Sequence, residues 1–216
     1  MAYEVQARVG SVLASDGTII DPRLAREGDG VVRDGAARYY ERTSRGLVFI
    51  ATTASAGIAP GTALTATGAL MLANPAGSGK NLSVIRATQG YVSGLPGAAQ
   101  MWWTQGACPA ALPAETTAAL RCSGFLNGTS AGDVAKAYSG VSLTNAPTIV
   151  RPAAFGALGV YAIATAGAAN FNPMQQEEVA GALVVSPGFY VALEGIGAAG
   201  TSPLFSFSIE YEVVPQ

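Results

Sequence analysis

The sequence predicts an all-β protein with a β-sandwich core, and three observations support this fold class. Short runs rich in Val, Ile, Leu and aromatic residues recur at near-regular spacing from Gly46 onward. Gly, Pro and Asn separate these runs, as they do in turns between strands. No long stretch has the period of an amphipathic helix. About eight strands are predicted, which fits two packed sheets and, within that class, a jelly roll.

The runs with strand character can be placed along the chain. In order, they cover residues 47–52, 69–72, 82–87, 89–92, 100–104, 118–122, 160–164, 181–185, 189–194 and 205–213. Glycine-containing or proline-containing stretches lie between most of them, and Asn127-Gly128 is a typical hairpin turn.

The last strand has the clearest pattern. Positions 205, 207, 209, 211 and 213 are apolar, whereas 206, 208, 210 and 212 are polar. Strict alternation places one face of a strand in a core and the other in solvent or at an interface. We therefore predict that Phe205, Phe207, Ile209 and Tyr211 point into the sandwich. We also predict that this strand forms a hairpin with residues 189–194.

Residues 1–45 differ from the rest of the chain. They hold 14 of the 26 charged residues, seven of each sign, and their apolar residues have no sustained period. We predict an extended N-terminal arm over residues 1–45 that lies on another subunit, and a β-sandwich domain over residues 46–216. Around residues 38–42 a single helical turn is expected to stop at Gly46. A disordered tail is the weaker alternative, because tyrosines and valines give the arm something to bury.

Charged residues are unusually few. They make up 12% of the chain, against about 25% in an average soluble domain. Such a surface is a solubility risk for an isolated monomer, which favours cover by neighbouring subunits. A surface made polar by Thr, Ser, Asn and Gln remains an alternative.

Several classes of partner are disfavoured. The net charge is −2, and no cluster of Lys and Arg is interleaved with aromatics, so a nucleic-acid partner is not expected. Apolar stretches end well before the 18 residues of a membrane span. Residues 1–6 lack the features of a signal peptide, which suggests a protein made and kept in the cytoplasm until release.

Two glycine-rich stretches resemble nucleotide-binding motifs. Residues 74–81 approach a phosphate-binding loop, but Asn74 replaces its first glycine and Asn81 its final Ser or Thr. Residues 195–200 match G-x-G-x-x-G, yet a strand and the chain end follow where a dinucleotide fold needs a helix and further strands. The first stretch is interpreted as a turn between strands and the second as a hairpin loop.

Catalytic residues are not evident. Residues 128–132 have nucleophile-elbow spacing around Ser130, but the chain contains no histidine to activate a serine. A pair of Ser130 with Lys136 is the open alternative. The acidic pairs Glu177/Glu178 and Glu210/Glu212 are interpreted as solvated strand faces, since no partner is evident that would shift a carboxyl pKa. We therefore predict no enzymatic activity; a hydrolase is the third-ranked alternative.

Metals and cofactors are not expected either. The chain has no histidine and no C-x-x-C spacing, which disfavours zinc and other transition metals. Calcium between loop carboxylates remains an alternative, although no EF-hand loop is present. Without a signal peptide, Cys108 and Cys122 are predicted to be free thiols.

Several segments of the chain are similar to those of a known family. Residues 39–49, 57–64 and 72–82 resemble virion structural proteins of tailed bacteriophages, and residues 185–212 are similar to the final hairpin of jelly-roll subunits. The resemblance implies a capsid decoration, or cement, protein that binds and stabilises the capsid shell. Its expected partners are the major capsid protein and copies of itself. Its expected location is the capsid surface of the virion, after assembly in the host cytoplasm.

Subunit contacts are expected at the arm and on the polar face of the last strand. The candidate interface residues are Arg38, Tyr39, Tyr40, Arg42, Glu210 and Glu212. The alternative function is a receptor-binding or glycan-binding module of a tail or head fibre. Trp102 and Trp103 would then form the platform, although neighbouring residues of a strand face opposite ways, which favours core and interface packing.

Overall fold

The computed structural model describes residues 37–115, 119–126, 132–143, 147–158 and 174–215. The chain divides into two units, Met1–Glu41 and Arg42–Gln216. Of the first unit only residues 37–41 are described, so the predicted arm lies almost wholly outside the described residues. The boundary at residue 45 stays a prediction.

One short helix precedes the strands of the described chain. Helix α1 spans Tyr40–Ser44. Gly46 follows with a φ of 69°, and its N–H donates to the carbonyl of Thr43 at 2.9 Å. A left-handed residue after the last turn is a common helix stop, because glycine has no Cβ to oppose it. The helical turn predicted to end at Gly46 is thus present.

Ten strands follow in the described part of the chain. They are β1 (Val48–Thr53), β2 (Leu70–Asn74), β3 (Lys80–Leu95), β4 (Ala99–Ala107), β5 (Ala119–Ser123), β6 (Lys136–Tyr138), β7 (Thr148–Leu158), β8 (Met174–Val185), β9 (Phe189–Gly197) and β10 (Thr201–Pro215).

The strands form two five-stranded antiparallel sheets packed face to face. The β10 sheet has the order β5-β1-β10-β3-β8, and the β9 sheet has the order β6-β2-β9-β4-β7. The predicted all-β sandwich is therefore confirmed, while its jelly-roll form remains a finer prediction. At one side of the sandwich the outermost strands are β5 and β6; at the opposite side they are β7 and β8.

Strand pairing follows a nested order. β1 pairs with β10, β2 with β9, β3 with β8 and β4 with β7, each time antiparallel. β5 adds to the free side of β1, and β6 adds to the free side of β2. β5 and β6 therefore extend an eight-stranded arrangement at one side.

The core lies between the two sheets and follows the alternation along β10. Phe205, Phe207, Ile209, Tyr211 and Val213 are all at most 2% exposed, and the residues between them are half-buried. The predicted direction of these side chains is thus confirmed. A second apolar cluster on the outer face of the β9 sheet includes Met71, Tyr138, Leu143, Tyr190 and Ala192.

The predicted C-terminal hairpin is wrong. β9 and β10 follow each other closely but belong to different sheets, so residues 198–200 cross from one sheet to the other. Two sheets lie about 10 Å apart, a distance that three residues span easily at about 3.3–3.6 Å each. The alternation of apolar and polar residues predicts which face of a strand is buried. It does not predict which other strand forms hydrogen bonds with it.

Two of the strands were not predicted. β6 is only three residues long, and β7 contains Pro152 and Gly156 among alanines, which weakens the strand signal. β7 is at the edge of its sheet, where proline is tolerated because one side of the strand has no partner to bond. The predicted strand at 160–164 and the turn at Asn127-Gly128 lie outside the described residues.

Candidate functional site

The predicted interface residues fall into two places. Arg38 and Tyr39 precede helix α1 and Tyr40 begins it; the guanidinium of Arg38 lies 5.1 Å from the centre of the Tyr39 ring. Arg42 forms an ion pair with Glu212 of β10. Of the six predicted residues, Arg42 and Glu212 are thus the pair that the structure joins between the N-terminal segment and β10.

Glu210 has its own partner on the neighbouring strand. Arg86 of β3 donates from Nε to Oε2 of Glu210 at 2.7 Å. One step along the same face, the hydroxyls of Thr88 and Ser208 are 2.5 Å apart. Glu210 and Glu212 thus each have an arginine partner, and Arg86 reaches Glu210 because cross-strand neighbours in the central part of a sheet are close enough to pair. The outer face of the β10 sheet carries polar groups that are bonded to one another.

A charged network joins the two edge strands β5 and β6. It consists of Glu115, Arg121, Asp133, Lys136 and Tyr211, and we call it the edge network. Arg121 of β5 binds both carboxylate oxygens of Glu115, at 2.6 and 2.8 Å, and also contacts Asp133. Lys136 of β6 lies 3.3 Å from Glu115. Because β5 and β6 belong to different sheets, these bonds close one side of the sandwich.

Backbone and core groups complete the edge network. The N–H of Ala137 donates to Glu115 at 2.9 Å, and the N–H of Ala135 donates to Asp133 at 2.9 Å. The hydroxyl of Tyr211 donates to Asp133 at 2.8 Å, and the Asp133 side chain is fully buried. A buried carboxylate is tolerated when several donors replace its lost water.

Burial and charge shift the pKa values of the edge network in opposite directions. Desolvation would raise the pKa of Glu115, but the bonds from Arg121 and Ala137 and the charges of Arg121 and Lys136 lower it below its usual range. Desolvation and the charge of Asp133 raise the pKa of Tyr211 well above its usual value. At neutral pH Glu115 is thus charged and Tyr211 is a neutral donor.

Glu177 closes the opposite side of the sandwich. Its Oε2 accepts the indole N–H of Trp103 and the N–H of Ala154, both at 2.9 Å. Its Oε1 lies 2.6 Å from Nη2 of Arg151. Glu177 is 4% exposed, so its interpretation as part of a solvated face is wrong. Glu178 is exposed, as that interpretation requires.

The sequence pattern along β8 indicates that Glu177 is buried. Glu177 shares its parity along β8 with Val179, which is also buried, whereas Glu178 has the opposite parity. The period of 2 therefore assigns the two glutamates to opposite faces. The isolated charges Glu115, Arg121 and Asp133, in a chain poor in charge, are a similar signal for the edge network.

A third buried carboxylate lies on β9. Glu194 accepts the hydroxyl of Thr104 at 2.7 Å and the N–H of Thr65 at 3.0 Å. Burial raises the pKa of Glu194 in spite of these bonds. Thr65 belongs to the segment between β1 and β2, so Glu194 attaches this connection to the β9 sheet.

The two glycine-rich stretches serve the fold. Asn74 donates its amide to the carbonyls of Lys80 and Val185, both at 2.8 Å, and thereby ties β2 to β3 and β8. At the other end of the sandwich, the N–H of Gly195 donates to Pro60 at 2.5 Å and the N–H of Gly197 to Thr62 at 3.0 Å. These amides are bonded within the protein. Residues 74–81 form the predicted turn between strands, whereas the predicted hairpin loop at 195–200 is wrong, because residues 195–197 end β9 and residues 198–200 cross to the other sheet.

The remaining candidate reactive groups are Ser130, Lys136 and two cysteines. Ser130 lies outside the described residues, and Lys136 belongs to the edge network. Cys108 and Cys122 are free, and burial raises the pKa of Cys108 to about 11. Within residues 37–215, apart from the undescribed gaps, no three Asp, Glu, Cys or His side chains gather as metal ligands. Nor does any helix of that part have the length and apolar character to cross a membrane.

Comparisons with protein-family models, with curated proteins and with solved structures found no match to this chain. Strand order, surface chemistry and buried groups are therefore the grounds for assigning a function.

Proposed function

We propose that this chain is a structural subunit of a virus particle, a decoration protein that binds and stabilises the capsid of a tailed bacteriophage. The observation that carries the proposal is the nested order of strand pairs. Without β5 and β6, the first of the eight strands pairs with the last, the second with the seventh, the third with the sixth and the fourth with the fifth. A single antiparallel ribbon that folds back at its middle and rolls up gives this order, which supports a jelly roll. Jelly rolls recur in viral capsid subunits, lectins and cupins.

Since a fold alone does not determine a function, the polar groups provide the second line of support. Glu115, Asp133 and Glu177 each accept bonds from two or more protein donors. Bound in this way, they hold strands together and are poorly placed to exchange protons with a substrate. A rigid sandwich closed at both sides suits a mechanical role.

The proposed mechanism is stabilisation by contact. Copies of the chain bridge neighbouring capsid subunits, and each contact contributes roughly 25 cal/mol per Å² of apolar area buried, less the cost of ordering. The low fraction of charged residues, 12%, suits a surface that is partly covered in an assembly. The proposed partners are the major capsid protein and other copies of this chain.

A receptor-binding or glycan-binding role at the tail is the second candidate, and lectin jelly rolls favour it. Its proposed platform is weakened, however. Trp103 is fully buried and bonded to Glu177, so Trp102 and Trp103 do not form a joint exposed surface.

Imaging of purified virions that carry an epitope tag after Pro215 tests the proposal. Gold-labelled antibody distributed over the whole head supports a decoration protein. Label confined to the tail supports the second candidate, and virions without label contradict both. Tagged virions must first be as infectious as untagged ones, so that the tag itself does not decide the result.

A further inference from the structure

An apolar groove opens where β7 begins and β8 ends. It has a volume of about 230 Å³, and its lining includes Val150 of β7, Val184 of β8 and Phe189 of β9. These three side chains are 38%, 54% and 49% exposed. No residue of the lining is charged; Gln105 and Ser186 supply polar groups.

The rest of this edge is protected against association. Further along β7 come Arg151 and Pro152, and β8 carries the exposed Glu178. A bulge in β8 follows, where Ala180 and Gly181 have φ values of 52° and 82°. Charges, proline and bulges are the features by which sheet edges avoid unwanted pairing. The groove is the stretch of this edge that lacks them.

A matching protrusion follows β5 at the other side of the sandwich. Phe125 and Leu126 are 52% and 78% exposed, and we call them the knob. The turn is fixed by bonds from the N–H of Leu126 to the Ser123 carbonyl at 3.0 Å and from the N–H of Phe125 to the Ser123 hydroxyl at 3.2 Å. Leu126 has a φ of 54°, a conformation that costs about 1–2 kcal/mol for a residue with a Cβ. Because Leu126 is 78% exposed, packing within its own chain offsets little of that cost.

Knob and groove lie at the same level on opposite edges of one sheet. Strand register places Ser123, Phe49, Tyr211, Val84 and Leu183 in a single row across the β10 sheet. The knob follows the first residue of this row, and the groove adjoins the last. Four strand spacings separate β5 from β8, which is about 19 Å at about 4.8 Å each. The knob therefore cannot reach the groove of its own chain.

We propose that the knob of one copy of this chain occupies the groove of a neighbouring copy. A cavity of about 150 Å³ holds a benzene molecule, so a groove of about 230 Å³ accommodates the ring of Phe125. Because the two surfaces differ, the contact is head-to-tail, and it generates a ring when the rotation between copies closes.

The contact between the two edges is a small one. β5, which precedes the knob, has 5 residues and so extends over about 17 Å, and two sheets with their side chains are about 20 Å thick, which gives an edge on the order of 300 Å². Each partner in a standard protein contact buries about 800 Å², so association is expected at the upper end of the concentration range. Knob and groove would form the apolar centre of this interface.

This inference deepens the proposed function, since it defines the contact between copies, but its test needs no capsid. Failure of self-association and failure of capsid binding are thus separate results. The probe is the purified full-length chain, studied by sedimentation velocity over a range of concentrations.

Three variants make the test specific. The knob variant carries Phe125→Ser and Leu126→Ser, and the groove variant carries Val184→Glu. The control is Leu95→Ser, because Leu95 is 56% exposed at the opposite end of the sandwich. Circular dichroism checks that each variant is folded.

The wild type and the control should form the same defined oligomer. The knob and groove variants should each be monomeric at the same concentrations. An equimolar mixture of the two variants should form heterodimers and nothing larger, since only one intact knob and one intact groove can meet. A monomeric wild type, an oligomeric knob variant, a dissociated control or a mixture without heterodimers would each overturn the proposal.

Discussion

Buried carboxylates hold the two sheets together at both sides of the sandwich. Asp133 bonds to the core residue Tyr211 near β5 and β6, and Glu177 bonds to the core residue Trp103 near β7 and β8. An ion removed from water is costly unless protein donors surround it. Because each carboxylate must lie within reach of all its donors, it also fixes the relative position of the edge strands that it joins.

Replacement of Glu177 tests this role at the scale of one residue. Glu177→Ala leaves the indole N–H of Trp103 and the N–H of Ala154 buried without an acceptor, at about 1–3 kcal/mol each. We expect the free energy of unfolding to fall by about 2–6 kcal/mol in urea denaturation, with a shift in tryptophan emission. Glu178→Ala, at the exposed neighbour, should cost about 0–1 kcal/mol. Equal losses in both variants would contradict the assigned role.

Single residues differ in how far the sequence predicts them. The alternation along β10 predicts the burial of Phe207 and its neighbours, because five apolar residues in register leave little ambiguity. The burial of Glu177 is not predicted in this way, because a charged side chain is expected at the surface unless hydrogen-bond donors in the interior bind it. Those donors come from β4 and β7, at residues 74 and 23 positions before Glu177, so the local pattern of β8 does not reveal them.

At the scale of the elements, the connection between β9 and β10 packs closely against the backbone of another turn. A Cβ on Gly200 would overlap the carbonyl oxygen of Leu95 and the backbone N of Gly97. These atoms belong to the backbone around the β3–β4 turn and cannot rotate away as a side chain does. The glycines of the G-x-G-x-x-G stretch thus allow two turns between the sheets to pack against each other.

Gly200→Ala tests this packing. Because backbone atoms must shift, we expect a loss of at least about 3 kcal/mol in the free energy of unfolding. The matched control is Gly77→Ala in the β2–β3 turn. There a Cβ meets nothing within 4 Å and φ is +75°, so the cost should be about 1–2 kcal/mol. If Gly200→Ala proves as mild as the control, the turns do not pack as described.

The edge network makes the attachment of β5 to β6 dependent on pH. The pKa of Glu115 is lowered from 4.5 in the folded protein. A carboxyl group with a depressed folded pKa contributes stability that is complete above the unfolded pKa and is lost as pH falls through the folded one. Glu194, whose pKa is raised from 4.5, acts in the opposite sense, since its contribution is lost as pH rises through its folded pKa.

Glu115→Gln isolates the contribution of the edge network. We expect the substitution to cost about 1.5–3 kcal/mol at pH 7, where it removes charged hydrogen bonds to Arg121. The difference from wild type should shrink below pH 4.5, as Glu115 of the wild type becomes protonated. Urea denaturation at a series of pH values measures it, with Glu178→Gln as the control. A difference that is constant with pH would contradict the lowered pKa.

Connections are the part of the fold that local sequence patterns predict least. The runs at 189–194 and 205–213 were placed correctly, but their short loop favoured a hairpin over a crossing between sheets. Local pattern specifies faces, whereas the choice of partner depends on the pairing of β9 with β2 and β4 and of β10 with β1 and β3. Some of these partners are about 160 residues apart in the chain, as Val48 and Glu212 are.

At the scale of the whole molecule, the nested pairing joins the first and last described strands, β1 and β10, within one sheet. β10 lies between β1 and β3, and the residues buried in the described core begin at Val48 and end at Val213. The folded sandwich therefore draws its core from the second unit, Arg42–Gln216. This distribution separates the stability of the sandwich from the proposed role of the N-terminal segment in assembly.

Deletion of residues 1–41 tests that separation. The truncated chain keeps Arg42 and its ion pair with Glu212, as well as the core residues from Val48 onward. We expect its far-UV circular dichroism to retain the β signal while its cosedimentation with capsids disappears, because the arm is proposed to grip the shell. Loss of the β signal would instead assign the arm to the core. Undiminished cosedimentation would assign the capsid contact to the sandwich, where Glu210→Gln with Glu212→Gln is the next variant to examine.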